Sequence, residues 1–254
     1  MTDFNSWCEQ ATIVPIEEHT AAVLISVDDE AGATAVAASL PERYAKPETL
    51  AALADRYDKP KVAAFLRNKF PASKTGRSGD IGEILATAYL EEECGYVVGP
   101  SRLRDRDHQE WAMRGDDVLG AKFDAESHVR LAKVEAKSRV TLGEAVVKQA
   151  REGLQRSDGL PSPHSLTQFA ERLTGTSDEA LGEAVLDLLL LEGIRPDVMT
   201  NLMFLFTTSD PIKHVKKDLA AYAGPIAQLA MTLRVKAHQD FIKRAYEKAL
   251  SSDA

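Results

Sequence analysis

Hydrophobic and polar residues alternate along residues 129–137 (VRLAKVEAK) with the period of a β-strand. Ala132, Val134 and Ala136 share one apolar face, while Lys133, Glu135 and Lys137 share the other. Glu135 and Lys137 therefore leave the same face about 6.6 Å apart along the strand. Residues 117–123 (DVLGAKF) predict a preceding strand that carries Asp117 to its mouth. Further upstream the period lengthens. In residues 79–94 (GDIGEILATAYLEEEC), Ile81, Ile84, Leu85 and Ala88 form a helical stripe, with Ser78 or Asp80 as N-cap and Gly95 as stop. Residues 143–156 (GEAVVKQAREGLQR) predict a second helix downstream.

Around this centre, residues 11–27 contain two short β-rich runs about Glu17, Glu18 and His19, and read as a hairpin or two strands. Residues 47–70 predict two short helices broken near Pro60. The stretch 74–79 (KTGRSG) has the composition of a phosphate-cradling loop without its Gly and Lys register, so it reads as a flexible, basic approach to the next helix. Pro, Gly and Ser mark 157–165 as a linker, followed by helices at 166–173 and 179–191, the latter ending at Gly193. The continuous apolar run 202–208 (LMFLFTT) predicts a strand buried near the centre of the sheet. Pro211 opens a helix at 212–222, residues 226–236 end in a strand, and 237–250 form an amphipathic helix. The fold class is α/β, a central mixed sheet flanked by helices over residues 76–254, with a strand and helix cap over residues 1–75.

Composition narrows the setting. With 254 residues, 44% of them hydrophobic and 28% charged, the chain is long enough to bury a large core and too apolar for disorder. Cys8 and Cys94 stand far apart without a metal-binding or disulfide spacing, which predicts a reducing, cytoplasmic home. No apolar run is long enough for a membrane span, and the first residues lack the basic start of an export signal.

The net charge of −8 matters once chemistry is considered. Asp117 and Glu135 place two hard oxygen ligands toward one point, and the carbonyl of Ala136 lies between Glu135 and Lys137. Mg²⁺, or Mn²⁺ in its place, favours few carboxylates, a carbonyl and several retained waters, with Lys137 beside the bound water. Asp116 replaces Asp117 if the register slips by one residue. The competing reading is a solvated edge strand with Lys133, Glu135 and Lys137 facing water. His108 and His128 lie nearest in sequence and read as surface histidines, and Trp111 as a core or loop anchor. Basic residues cluster at Arg102, Arg104 and Arg106, at Arg139, Lys148, Arg151 and Arg156, and at Lys213, Lys216 and Lys217. A protein that grips DNA alone usually presents more positive charge than this one carries, so either these patches gather near the site or a partner delivers the substrate.

The order of an Asp, then Glu-x-Lys on the following strand, resembles the PD-(D/E)xK nuclease superfamily. That resemblance implies a helical Glu before the strands, matched by Glu83, and in the RecB-like branch a glutamine after them, matched by Gln149. The Pro of the family name is missing, and Gly153 stands at the spacing where the exonuclease branch often has a tyrosine. The implied activity is metal-dependent phosphodiester hydrolysis by Glu83, Asp117, Glu135, Lys137 and Gln149, with Asp117, Glu135 and Ala136 holding the metal. The run from Arg114 to Gly120, the segment from Val134 to Ser138 and the strand at 202–208 also resemble HamA, the nuclease family of Hachiman anti-phage systems. For that family the resemblance implies DNA as substrate and a helicase partner, HamB, which residues 1–75 would contact if they are more than a structural cap. A nuclease-fold subunit that only docks a partner or DNA ends is the alternative, and an enzyme on RNA or a small phosphodiester is a third.

Overall fold

The computed structural model describes residues 2–106, 109 and 115–251. Met113, Arg114, Trp111 and His108 lie outside the described residues. In chain order the strands are β1 (Thr12–Ile16), β2 (His19–Ile25), β3 (Val118–Phe123), β4 (Val129–Ser138), β5 (Met199–Thr207) and β6 (Ala227–Arg234). The helices are α1 (Asp29–Tyr44), α2 (Pro47–Arg56), α3 (Lys59–Lys69), α4 (Lys74–Glu92), α5 (Glu144–Leu154), α6 (Pro163–Leu173), α7 (Glu179–Asp187), α8 (Ile212–Ala220) and α9 (His238–Leu250).

The strands form one mixed sheet in the order β1-β2-β6-β5-β4-β3. β2, β6, β5 and β4 run parallel to their neighbours, and an antiparallel strand closes each edge, β1 on β2 and β3 on β4. The run at 202–208 is therefore interior, as its unbroken apolar character predicts. The N-terminal hairpin joins the same sheet through β2 on β6.

Even-numbered residues of β4 face α4. Ala132 and Val134 pack there with Ile81, Ile84, Leu85 and Ala88, in a core that also takes Leu40 of α1, Phe204 and Phe206 of β5, and Phe241 and Tyr246 of α9. On the opposite face, Val147, Ala150 and Leu154 of α5 pack on Met203 and Leu205 of β5, and α6 and α7 cover Leu131 and Met199. Among the described residues no helix is long and apolar enough to cross a membrane.

Four expectations change. The edge-strand reading of residues 129–137 fails because β4 lies between β3 and β5, and Lys133 is 1% exposed. The α4 helix starts at Lys74, so 74–79 is its first turn and not a loop: Ser73 Oγ accepts from Gly76 N–H as the N-cap, and Ser78 and Asp80 are buried inside the helix. Residues 29–44 form a helix to which the reading above assigns no element, although α1 buries Val36, Leu40 and Tyr44 at helical spacing beside the small Gly32, Ala33 and Ala37. The helix predicted to reach 191 ends at Asp187, continues as one π-turn, and stops at Gly193, whose φ of 77° suits the residue without a Cβ.

Candidate active site

The site lies where β3 has not yet begun. Val118 pairs with Val134, and beyond that pair no strand lies beside the edge of β4 among the described residues. Backbone groups of odd-numbered residues past this point turn toward β5, as Arg139 N–H to Phe206 O shows, and those of even-numbered residues turn to the open edge. Ala136 uses that edge to donate its N–H to Asp117 Oδ2 at 3.0 Å, and its carbonyl leaves on the same side. Asp117 is thus fixed against the free end of the ladder. Its neighbour Asp116 turns the other way, 3.3 Å from Lys133 Nζ and accepting from Ser162 N–H.

From the α4 side comes Glu83. Arg102 grips it through Nε and Nη2, each at 2.8 Å, and reaches Asp117 Oδ1 at 3.3 Å, so one guanidinium joins two of the expected acidic residues. Burial pushes the Glu83 pKa up; Arg102 opposes the shift and Asp117 adds to it. On the α5 side, Glu135 meets Lys137 Nζ at 2.5 Å. A Cβ at Gly153 would overlap the Glu135 carboxylate, which gives the glycine at this helical position a steric reason. Burial raises the Glu135 pKa, the Asp117 charge raises it further, and Lys137 and Arg156 counter both. Gln149 is exposed on α5, one turn before Gly153, and has no hydrogen-bond partner among the described residues.

Glu83, Asp117, Ala136 and Lys137 line one cleft of about 360 Å³, together with Arg102 and Arg139. Among the described residues no three His, Cys, Asp or Glu side chains form a ready metal cage. The donor set still fits a hard divalent cation of the kind that keeps its waters: acidic oxygens close enough that the Asp117 charge raises the pKa of both Glu83 and Glu135, and a backbone carbonyl on the same edge.

Most of the basic patches prove to be framework. Arg106 pairs with Asp80 at 2.6 Å, one helical turn before Glu83, so Arg102 and Arg106 bind one face of α4. Arg104 donates to the carbonyl of Glu42, and Arg151 is buried against Asp218 at 2.7 Å. Lys217 pairs with Glu144, while Lys213 and Lys216 stay exposed. Sequence reasoning missed the supports beneath the cleft. Asp80 also accepts from Tyr44 Oη, which meets Tyr246 Oη at 2.7 Å. Ser78 Oγ, Ser138 Oγ and His238 Nε2 form a buried chain with steps of 2.8 and 2.9 Å. An Asp and a Ser inside an apolar helical stripe were the available signal.

The HamA family model matches residues 2–249. A curated relative, the Hachiman protein HamA of Bacillus cereus, is 30% identical over 153 residues, which is 60% of this chain and 54% of the relative, so the match spans about half of that relative's length.

Proposed function

The chain belongs to the HamA family, and from that premise we propose that it is the DNA-cutting subunit of a Hachiman anti-phage defence system, a Mg²⁺-dependent nuclease of the PD-(D/E)xK type. One observation carries the reading: Asp117 is pinned to the Ala136 N–H at the unpaired end of β4, next to the Glu135–Lys137 pair on the same strand. A purely structural strand needs none of this. The name of the Bacillus cereus relative supports the defence role.

In this reading Asp117, Glu135 and the Ala136 carbonyl hold the ion, which supplies charge stabilisation at the phosphoryl group and a more acidic bound water. Lys137, half-buried beside Glu135, orients the attacking water and offsets developing negative charge. Glu83 adds negative charge from α4 and fixes Arg102. Gln149, exposed on α5, would contact the substrate. The acidic net charge suits a subunit that receives DNA from a helicase partner of the HamB kind and binds duplex weakly by itself.

The second reading, a catalytically silent subunit that docks a partner or DNA ends, draws on Arg102, which already neutralises Glu83 and Asp117. Incubation of the full chain, with and without the helicase partner, on plasmid and linear DNA separates the two. Cleavage with Mg²⁺ or Mn²⁺ that stops with EDTA and with Glu135→Ala is expected. Equal cleavage by the variant, or none under any condition with the partner present, rejects the enzyme.

A further inference from the structure

The cleft does not stop at Lys137. A second cavity, of about 510 Å³, shares Thr75, Ser138 and Arg139 with the first and continues over Lys74, Thr141 and Gln239. Among the described residues no carboxylate and no aromatic ring lines it, in a chain whose net charge is −8. Lys74 and Arg139 are exposed and have no carboxylate partner among the described residues. Among the described residues the Arg139 guanidinium donates one hydrogen bond, through Nη1 to the Ser138 carbonyl at 2.9 Å, which leaves its other N–H groups for a ligand.

Both cations are carried by fixed elements. Lys74 is the first residue of α4, directly after the Ser73 cap, and Arg139 is tied to β5 by its N–H to Phe206 O. Between them, Ser138 is locked by Ser78 and His238. A cationic track with hydroxyls and an amide, but without stacking surfaces, recognises phosphate oxygens and leaves bases unread.

We infer that this second cavity is the track of a nucleic-acid sugar–phosphate backbone leaving the cleft, with Lys74 and Arg139 contacting successive phosphates on the side away from Arg102. The inference rests on the nuclease reading, because the track opens onto the same carboxylates. Recognition is independent of base sequence. A lone phosphate ion would fill only part of a two-cation channel, so the ligand is a phosphodiester chain.

The test uses the full chain with Lys74→Ala, Arg139→Ala and both together, and Lys213→Ala with Lys216→Ala as a control on exposed cations of α8. Fluorescence anisotropy with short mixed-sequence oligonucleotides, single-stranded and duplex, is read over a salt series starting at low ionic strength, without divalent metal. Removing each track cation is expected to lower the slope of log affinity against log salt by about 0.7 to 0.9, equally for different sequences. The α8 control should change it little, and melting temperatures should stay constant. Cleavage of the same oligonucleotides by the unaltered chain, with Mg²⁺ and the partner, is scored separately. If it cuts and the slopes do not move, the track is wrong and the nuclease reading stands. If the slopes fall but nothing is ever cut, the track stands and the nuclease reading fails. No binding at low salt, an equal loss in the α8 control, or displacement of the oligonucleotide by inorganic phosphate at matched ionic strength each overturns the track.

Discussion

Two lysines on one strand, four residues apart and pointing to the same face, have different fates. Lys133 is 1% exposed, donates to the Arg156 carbonyl at 2.8 Å and the Leu160 carbonyl at 3.0 Å, and forms an ion pair with Asp116 at 3.3 Å. Its ammonium is committed to these three partners. Lys137, with 21% of its side chain exposed, has Glu135 as its partner and faces the cleft. Strand, face and residue type are identical. The number of acceptors already committed separates an ammonium that fastens the 156–160 turn to the sheet from one with capacity left for a ligand.

Breaking the comparison at the mouth has the largest expected effect. Lys137→Ala should lower DNA cleavage by about a hundredfold or more while the melting temperature barely moves, because its charge acts on the substrate. Unchanged cleavage would place Lys137 beside Lys133 as framework. Lys133→Met should do the reverse: it leaves Asp116 buried without its cation and costs about 3–5 kcal/mol in urea unfolding, while the folded fraction keeps its specific activity. A stability loss near zero would show that Asp116 finds another partner.

Arg102 tests which side of the comparison the acidic cluster belongs to. Without its guanidinium, Glu83 and Asp117 lose the cation they share, and an ion in the cleft would take over its role. Arg102→Gln should therefore melt about 1–3 kcal/mol less stable without metal, and Mg²⁺ should raise its melting temperature more than that of the unaltered chain. Equal shifts in both proteins would show that Arg102 and the ion do not share these carboxylates. The smallest effect concerns His238, whose pKa burial and then the Arg139 charge lower from 6.5 to about 4. The unfolded chain takes up this proton first as pH falls. The contribution to stability is thus complete above 6.5 and lost toward 4, about 1 kcal/mol at one unit below 6.5. His238→Gln should flatten this part of the stability profile; an unaltered slope would locate the titration elsewhere.

The alternation in residues 129–137 made the Glu135 and Lys137 face legible, and the unbroken run at 202–208 marked an interior strand, because both signals are local and periodic. Local reading placed Lys133 with Lys137, since the carbonyls that take its hydrogen bonds lie more than twenty residues away. Arg102 was grouped with the basic clusters, and its pairing was not seen, for a related reason: its segment has no period, and its partner Glu83 is on a helix that precedes it. The start of α4 was missed because Gly76 and Gly79 look like loop residues until the Ser73 cap is seen. The register of β3 on β4, which turns Asp116 and Asp117 to opposite sides, required the pairing itself.

β2 lies against β6, with Thr20 beside Leu229 and Ile25 beside Arg234, so a strand made early in translation must wait for one made late. The same is true of the supports under the cleft, since Tyr246 and His238 of α9 brace Tyr44 and Ser138. A chain still threading through the ribosome at β5 has its acidic residues synthesised but not their foundation. The last step of folding in this topology therefore waits for β6 and α9, with an unpaired strand exposed in the interval. That order of assembly leaves the acidic cluster without its supports until α9 has docked.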